Sequence, residues 1–80
     1  MNAASAMVAE LNLKPLTKKT LNYLRHSGAL TPLVFWSLYG SMALAQQINE
    51  LRNAGFKVKT TMKTDEEGSR YPSYTLEQAS

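Results

Sequence analysis

Apolar positions along the 80 residues fall first at helical spacing and then, past Gly55, at strand spacing. Ala4, Val8 and Leu11 stand at i, i+4 and i+7 within residues 3–13, one stripe of a short helix. Pro15 disfavours helix at Lys14. A helix this short is marginal alone, so the segment either packs on the body or a partner, or forms a loose arm. Thr17 is a natural N-cap, and Leu16 and Leu21 have the spacing of a hydrophobic staple. A helix is therefore predicted over residues 18–26, with Leu21 and Leu24 inward, Lys18, Lys19, Asn22 and Arg25 mostly outward, and Gly28 as its stop. The device repeats at once. Thr31 caps, Pro32 suits the first helical position, and Leu30 and Phe35 have staple spacing, which predicts a helix over 32–39. Gly40 suits a tight turn, and Ser41 is the expected cap of a helix over 42–53. Its core stripe is predicted as Leu44, Ala45, Ile48 and Leu51, and its other side as Ala43, Gln46, Gln47, Asn49, Glu50 and Asn53.

In "FKVKTTMKT", apolar or Thr positions alternate with Lys57, Lys59 and Thr61, as in a strand with one face in solvent. "DEEGS" reads as a turn and "RYPSYTLEQ" as a returning strand, which Pro72 confines to an edge or a bulge. Two strands are not stable alone and must lean on the helices. The order predicts an α+β fold, a winged helix-turn-helix: three helices with a two-stranded antiparallel hairpin as the wing. Residues 17–76 form that domain, 1–16 an N-terminal arm or short helix, and 77–80 a frayed end.

The stretch "LTPLVFWSLYGSMALAQQINELRNAGFKVKT" resembles the small helix-turn-helix domains of phages and prophages. The residues that carry the likeness are Thr31 and Pro32 at a helix start, the Tyr39-Gly40 turn, Leu44, Ala45, Ile48, Glu50, Leu51 and Arg52 in the third helix, and Gly55, Phe56, Val58 and Lys59 after it. The resemblance covers about residues 17–76 and implies a winged helix that binds DNA. Two positions depart from it. Ala43 and Gln47 stand where such domains often carry Arg, so direct phosphate attraction from the third helix is weak. Trp36 stands four residues before the turn glycine, where tight helix-turn-helix units prefer a small residue, so the packing under the turn must differ.

Charge sharpens this picture. Up to Thr64 the chain carries eight cations against Glu10 and Glu50, a net +6; from Asp65 onward it is −3. A basic body with an acidic end suits a polyanion partner as well as a mixed soluble surface. The absence of cysteine excludes disulfides, thiol catalysis and thiolate zinc sites and fits a reducing, cytoplasmic setting. "MNAASAMVAELNLKPL" lacks the basic start and apolar run of a secretory signal. Residues 30–45 hold no charge, but Thr31, Pro32, Ser37, Gly40 and Ser41 break the run below the length a membrane span needs. Burial of the segment from Leu30 to Tyr39 explains the missing charge instead. Phe35, Trp36 and Tyr39 are expected in the core, where large aromatics supply area a small domain needs; an exposed Trp36 would mark a partner or dimer surface.

No enzyme, cofactor, metal or small-molecule substrate is expected. His26 is the only histidine, the carboxylates gather in a turn, and no P-loop, dinucleotide fingerprint or nucleophile elbow is present. The expected partner is double-stranded DNA, with a homodimer through residues 3–13 or the aromatic surface. The third helix would enter the major groove with Ser41, Ala43, Gln46, Gln47 and Glu50 toward the bases; Gln46, Gln47 and Asn49 are types that read adenine. Lys18, Lys19, Ser37, Arg52, Lys57, Lys59, Lys63 and Arg70 are the expected phosphate contacts. The same residues also read as the polar face of an amphipathic helix and as lysines guarding an edge strand. The acidic residues Asp65, Glu66 and Glu67 argue against the wing tip entering a groove. A module on this fold that binds a host or phage protein is the alternative.

Overall fold

A computed structural model describes residues 10–77. Its elements are α1 (Pro15–Ser27), α2 (Pro32–Tyr39), α3 (Leu44–Asn53), β1 (Val58–Thr64) and β2 (Arg70–Leu76). Three helices and one antiparallel hairpin give the winged helix-turn-helix arrangement expected from the sequence. Most of the residue 3–13 stripe lies outside the described residues; Glu10 and Leu11 are helical.

α1 begins three residues earlier than the capping pattern suggests. Pro15 takes the first helical position, where its missing N–H is no loss. Lys14 is the N-cap, and its carbonyl accepts from the Lys18 amide at 2.9 Å. Thr17 is therefore not a cap. It is buried with Thr20, Leu21 and Leu24 in one i, i+3, i+4, i+7 stripe.

α2 starts as expected: the Thr31 hydroxyl accepts from the Val34 amide at 3.4 Å, with Pro32 following. Gly40 closes it in the left-handed conformation (φ 64°), a geometry that favours glycine, and donates its N–H to the Trp36 carbonyl at 2.7 Å. Phe35 is fully buried and meets Tyr39 edge-on at 5.0 Å between ring centroids. Burial does not, however, explain the whole neutral segment. Leu33 is 74 % exposed, Trp36 52 % and Leu38 52 %. Trp36 is left half-exposed rather than buried beneath the turn, which is how so large a residue is accommodated there.

α3 starts at Leu44, two residues later than expected, and Ser41 does not cap it. The Ser41 hydroxyl instead accepts from the Ala43 amide at 3.1 Å, ahead of the helix. The buried stripe is Leu44, Gln47, Ile48 and Leu51, while Ala45 is exposed. At the other end, Phe56 N–H donates to the Leu51 carbonyl and Gly55 N–H to the Arg52 carbonyl, both at 3.0 Å. Those two bonds and the positive φ of Gly55 make a Schellman stop. It turns Phe56 back against the core.

The hairpin register runs unbroken from Val58↔Leu76 to Thr64↔Arg70. Leu30, between α1 and α2, adds a bridge to the far side of β2, exchanging both backbone bonds with Tyr74 at 2.8 and 2.9 Å. Even-numbered amides of β2 thus point away from β1. Pro72 is one of these, so its missing N–H removes no bond of the hairpin. The core joins all five elements and Leu30: Leu21, Leu24, Leu30, Phe35, Leu44, Ile48, Leu51, Val58 and Tyr74.

Candidate nucleic-acid interface

The outward stripe of α3 is Ala45, Gln46, Asn49, Arg52 and Asn53, all exposed and spaced i, i+1, i+4, i+7, i+8. Ser41, Ala43 and Glu50 are half-buried at its margins. Gln46 and Asn49 thus sit where expected. Gln47 does not: it is only 7 % exposed, and its Oε1 accepts a 2.6 Å hydrogen bond from the Thr17 hydroxyl. A side chain held inside the α1–α3 contact is not presented to a base edge. Asn53 lies on the outward side, as the helical spacing predicts, although it is not among the expected base contacts.

The Thr17–Gln47 bond has a second effect. It fixes the first turn of α1 against the first half of α3. Lys14, Lys18 and Lys19 are all exposed. Ser37 is exposed on α2, and the hydroxyl proton of Ser41 remains a donor while its oxygen accepts from Ala43.

Arg52 was expected at a phosphate. Its Nε and Nη2 donate to the Val58 carbonyl at 3.2 and 2.8 Å, and Nη2 also reaches the Thr60 hydroxyl at 2.9 Å. Its planar fork ties the end of α3 to β1, so it acts first as an internal clamp. Glu50 makes no ion pair among the described residues.

β1 is exposed throughout beyond Val58, whereas β2 is buried at Ser73 and Tyr74, so the hairpin leans on the body through β2 and only its outer part near the turn stands clear. With no bulge in the register, Lys57, Lys59, Thr61 and Lys63 share one side, with Tyr71 across from Lys63. The opposite side, through Thr60, faces α3. The lysines therefore do not line the same surface as the α3 stripe; they flank it from the outer side of the wing. Arg70, opposite Thr64, lies with the other side, near the tip.

At the tip, Asp65 Oδ1 accepts from the Glu67 and Ser69 amides, both at 2.9 Å, and Gly68 N–H donates to the Asp65 carbonyl at 3.1 Å. This is a side-chain-organised turn closed by a glycine at φ 86°. One of the three acids is thus a structural acceptor, while Glu66 and Glu67 are left exposed. The described residues contain no cluster of His, Cys, Asp or Glu able to hold a metal, and no described helix is long and apolar enough to cross a membrane.

A protein-family model described as a winged helix-turn-helix domain matches residues 15–79. That match takes in α1, α2, α3 and both strands. No curated protein and no solved structure matches the chain significantly.

Proposed function

We propose that this chain, which belongs to the winged helix-turn-helix domain family, is a sequence-specific DNA-binding protein that regulates transcription in a phage or prophage. The observation that carries the reading is the outward stripe of α3. Gln46, Asn49 and Asn53 are neutral side chains with both donors and acceptors, exposed at groove-compatible spacing on a helix anchored by its other face. Gln46 and Asn49 read adenine edges, Ala45 and the half-buried Ala43 leave room for a thymine methyl, and Glu50 accepts from cytosine N4 at the margin. Lys18, Lys19 and Ser41 meet phosphates around that helix, and Lys57, Lys59, Lys63 and Arg70 meet them along the wing. The function is recognition, without cofactor or catalysis, and its setting is the cytoplasm of a bacterial or infected cell.

A duplex selected from a random pool is the test. Affinity should fall steeply with salt, with a log–log slope set by the number of phosphates neutralised. Gln46→Ala should change which sequences are selected, whereas Lys59→Ala should weaken all sequences alike and flatten the salt slope by about one. No retardation of any duplex at low salt would sink the reading. It would leave the alternative, a protein-binding module, which the exposed acids Glu66 and Glu67 at the wing tip favour.

A further inference from the structure

α2 is apolar on every side. Its inner side holds Phe35, with Val34 and Tyr39 half-buried. Its outer side is formed by Pro32, Leu33, Trp36 and Ser37, continued by Gly40, at i, i+1, i+4, i+5 and i+8, and all five are exposed. Met42, two residues further on, is 87 % exposed and extends the apolar surface toward α3. A helix that is hydrophobic all round is normally buried all round. Here the fold covers only the Phe35 side, where Leu38 at the margin also stays 52 % exposed.

We propose that a second copy of this chain covers the other, with two α2 helices packed about a two-fold axis and Trp36 and Leu33 at the centre. Two observations select that occupant. The first is charge. No charged side chain lies between Arg25 and Glu50, so two such faces meet without opposing like charges. Pairing through α1 or the wing would bring lysines of both copies together, since the body up to Thr64 carries a net +6. A neutral face also holds little to select a foreign partner, because charges across an interface supply much of its specificity. A two-fold pair needs none, as the patch meets itself. The second is area. The outer side of α2 with Met42 exposes on the order of 500 Å² per copy, near the upper end of what a monomer leaves open. Two copies would then bury about 1,000 Å², the lower edge of a specific interface. The pair is therefore a weak, concentration-dependent dimer.

One consequence rests on the DNA reading as well: two copies present two α3 helices, so a bound duplex carries two half-sites. The pairing itself does not depend on DNA, and neither does its test. Trp36 is the only tryptophan, so its emission reports on this face alone. Sedimentation equilibrium across a concentration series should show the mass rising from 8.9 kDa toward twice that value. The Trp36 emission maximum should move to the blue in step. Leu33→Glu, and equally Leu33→Lys, should hold the mass at one chain and the emission at its dilute position, with the melting curve by circular dichroism matching that of dilute, monomeric wild type. Wild-type protein that stays at one chain mass at every concentration overturns the proposal and leaves the face to a different protein. So does a dimer that both Leu33 variants form equally well, or a rise in mass with no shift in emission. Blue emission at one chain mass would mean that the chain covers the face with its own residues, and overturns it too.

Discussion

At the residue scale, the Thr17–Gln47 pair can be broken in two ways with different outcomes. Gln47→Ala alone leaves a buried hydroxyl without its acceptor, which costs about 1–3 kcal/mol. In a domain of this size each kcal/mol lowers Tm by about 4–8 °C. Replacing both partners by apolar groups of similar shape, Thr17→Val with Gln47→Leu, should cost clearly less than the two single changes added together. Urea denaturation of the four proteins measures the difference; strictly additive losses would show that the hydrogen bond contributes nothing. Gln47 was misread from the sequence because residue type outweighed phase. Leu44, Ile48 and Leu51 fix the inward direction of α3, and at 3.6 residues per turn position 47 lies about 65° from it and position 45 about 95°. The glutamine is nearer the core than the alanine. Only a partner hydroxyl 30 positions earlier makes that tolerable, and no local pattern announces such a partner.

Between elements, the guanidinium of Arg52 holds the end of α3 to the start of the wing. Arg52→Ala removes hydrogen bonds to the Val58 carbonyl and the Thr60 hydroxyl. It should destabilise the fold by about 1.5–3 kcal/mol, the range for hydrogen bonds to a charged group. Amide hydrogen exchange in β1 should speed up more than in α1, whereas Lys59→Ala, on the free side of the strand, should change neither. Equal protection in the Arg52 variant would reduce the clamp to a surface contact. The elements legible in advance were those written in local chemistry. Thr31, Pro32 and Gly40 bounded α2 correctly, and alternation with a DEEGS turn located the hairpin. α1 is longer than its capping signals suggest, because Pro15, which disfavours helix before it, serves as the first helical residue. The exposure of Leu33, Trp36 and Leu38 was not legible either. Hydrophobicity reports what a side chain prefers, and only the packed fold tells how much of that preference is met.

Over the whole molecule, charge is divided rather than merely positive. The α3 stripe is neutral apart from the engaged Arg52, the lysines stand on α1 and the outer wing, and the exposed acids Asp65, Glu66 and Glu67 sit at the wing tip, with Glu77 at the other end of the hairpin. Attraction to a polyanion is thus supplied from the flanks and opposed at the tip. Glu66→Gln with Glu67→Gln should strengthen binding to every duplex several-fold at low salt while leaving the selected sequence unchanged; fluorescence anisotropy at two ionic strengths reads both. A preference that shifted with these charges would mean that the tip reads bases. The bridge between Leu30 and Tyr74 sets a different kind of limit. The α2–α3 pair is written in the middle of the chain, yet the backbone just ahead of α2 finds its partner 44 residues later. During synthesis the three helices emerge first, with Leu30 unpaired and the core open where Tyr74 belongs. β2, which follows the three helices and β1 in chain order, is therefore the element that completes this core. A nonsense codon before residue 74 should yield an aggregation-prone helical fragment, not a shortened reader of DNA.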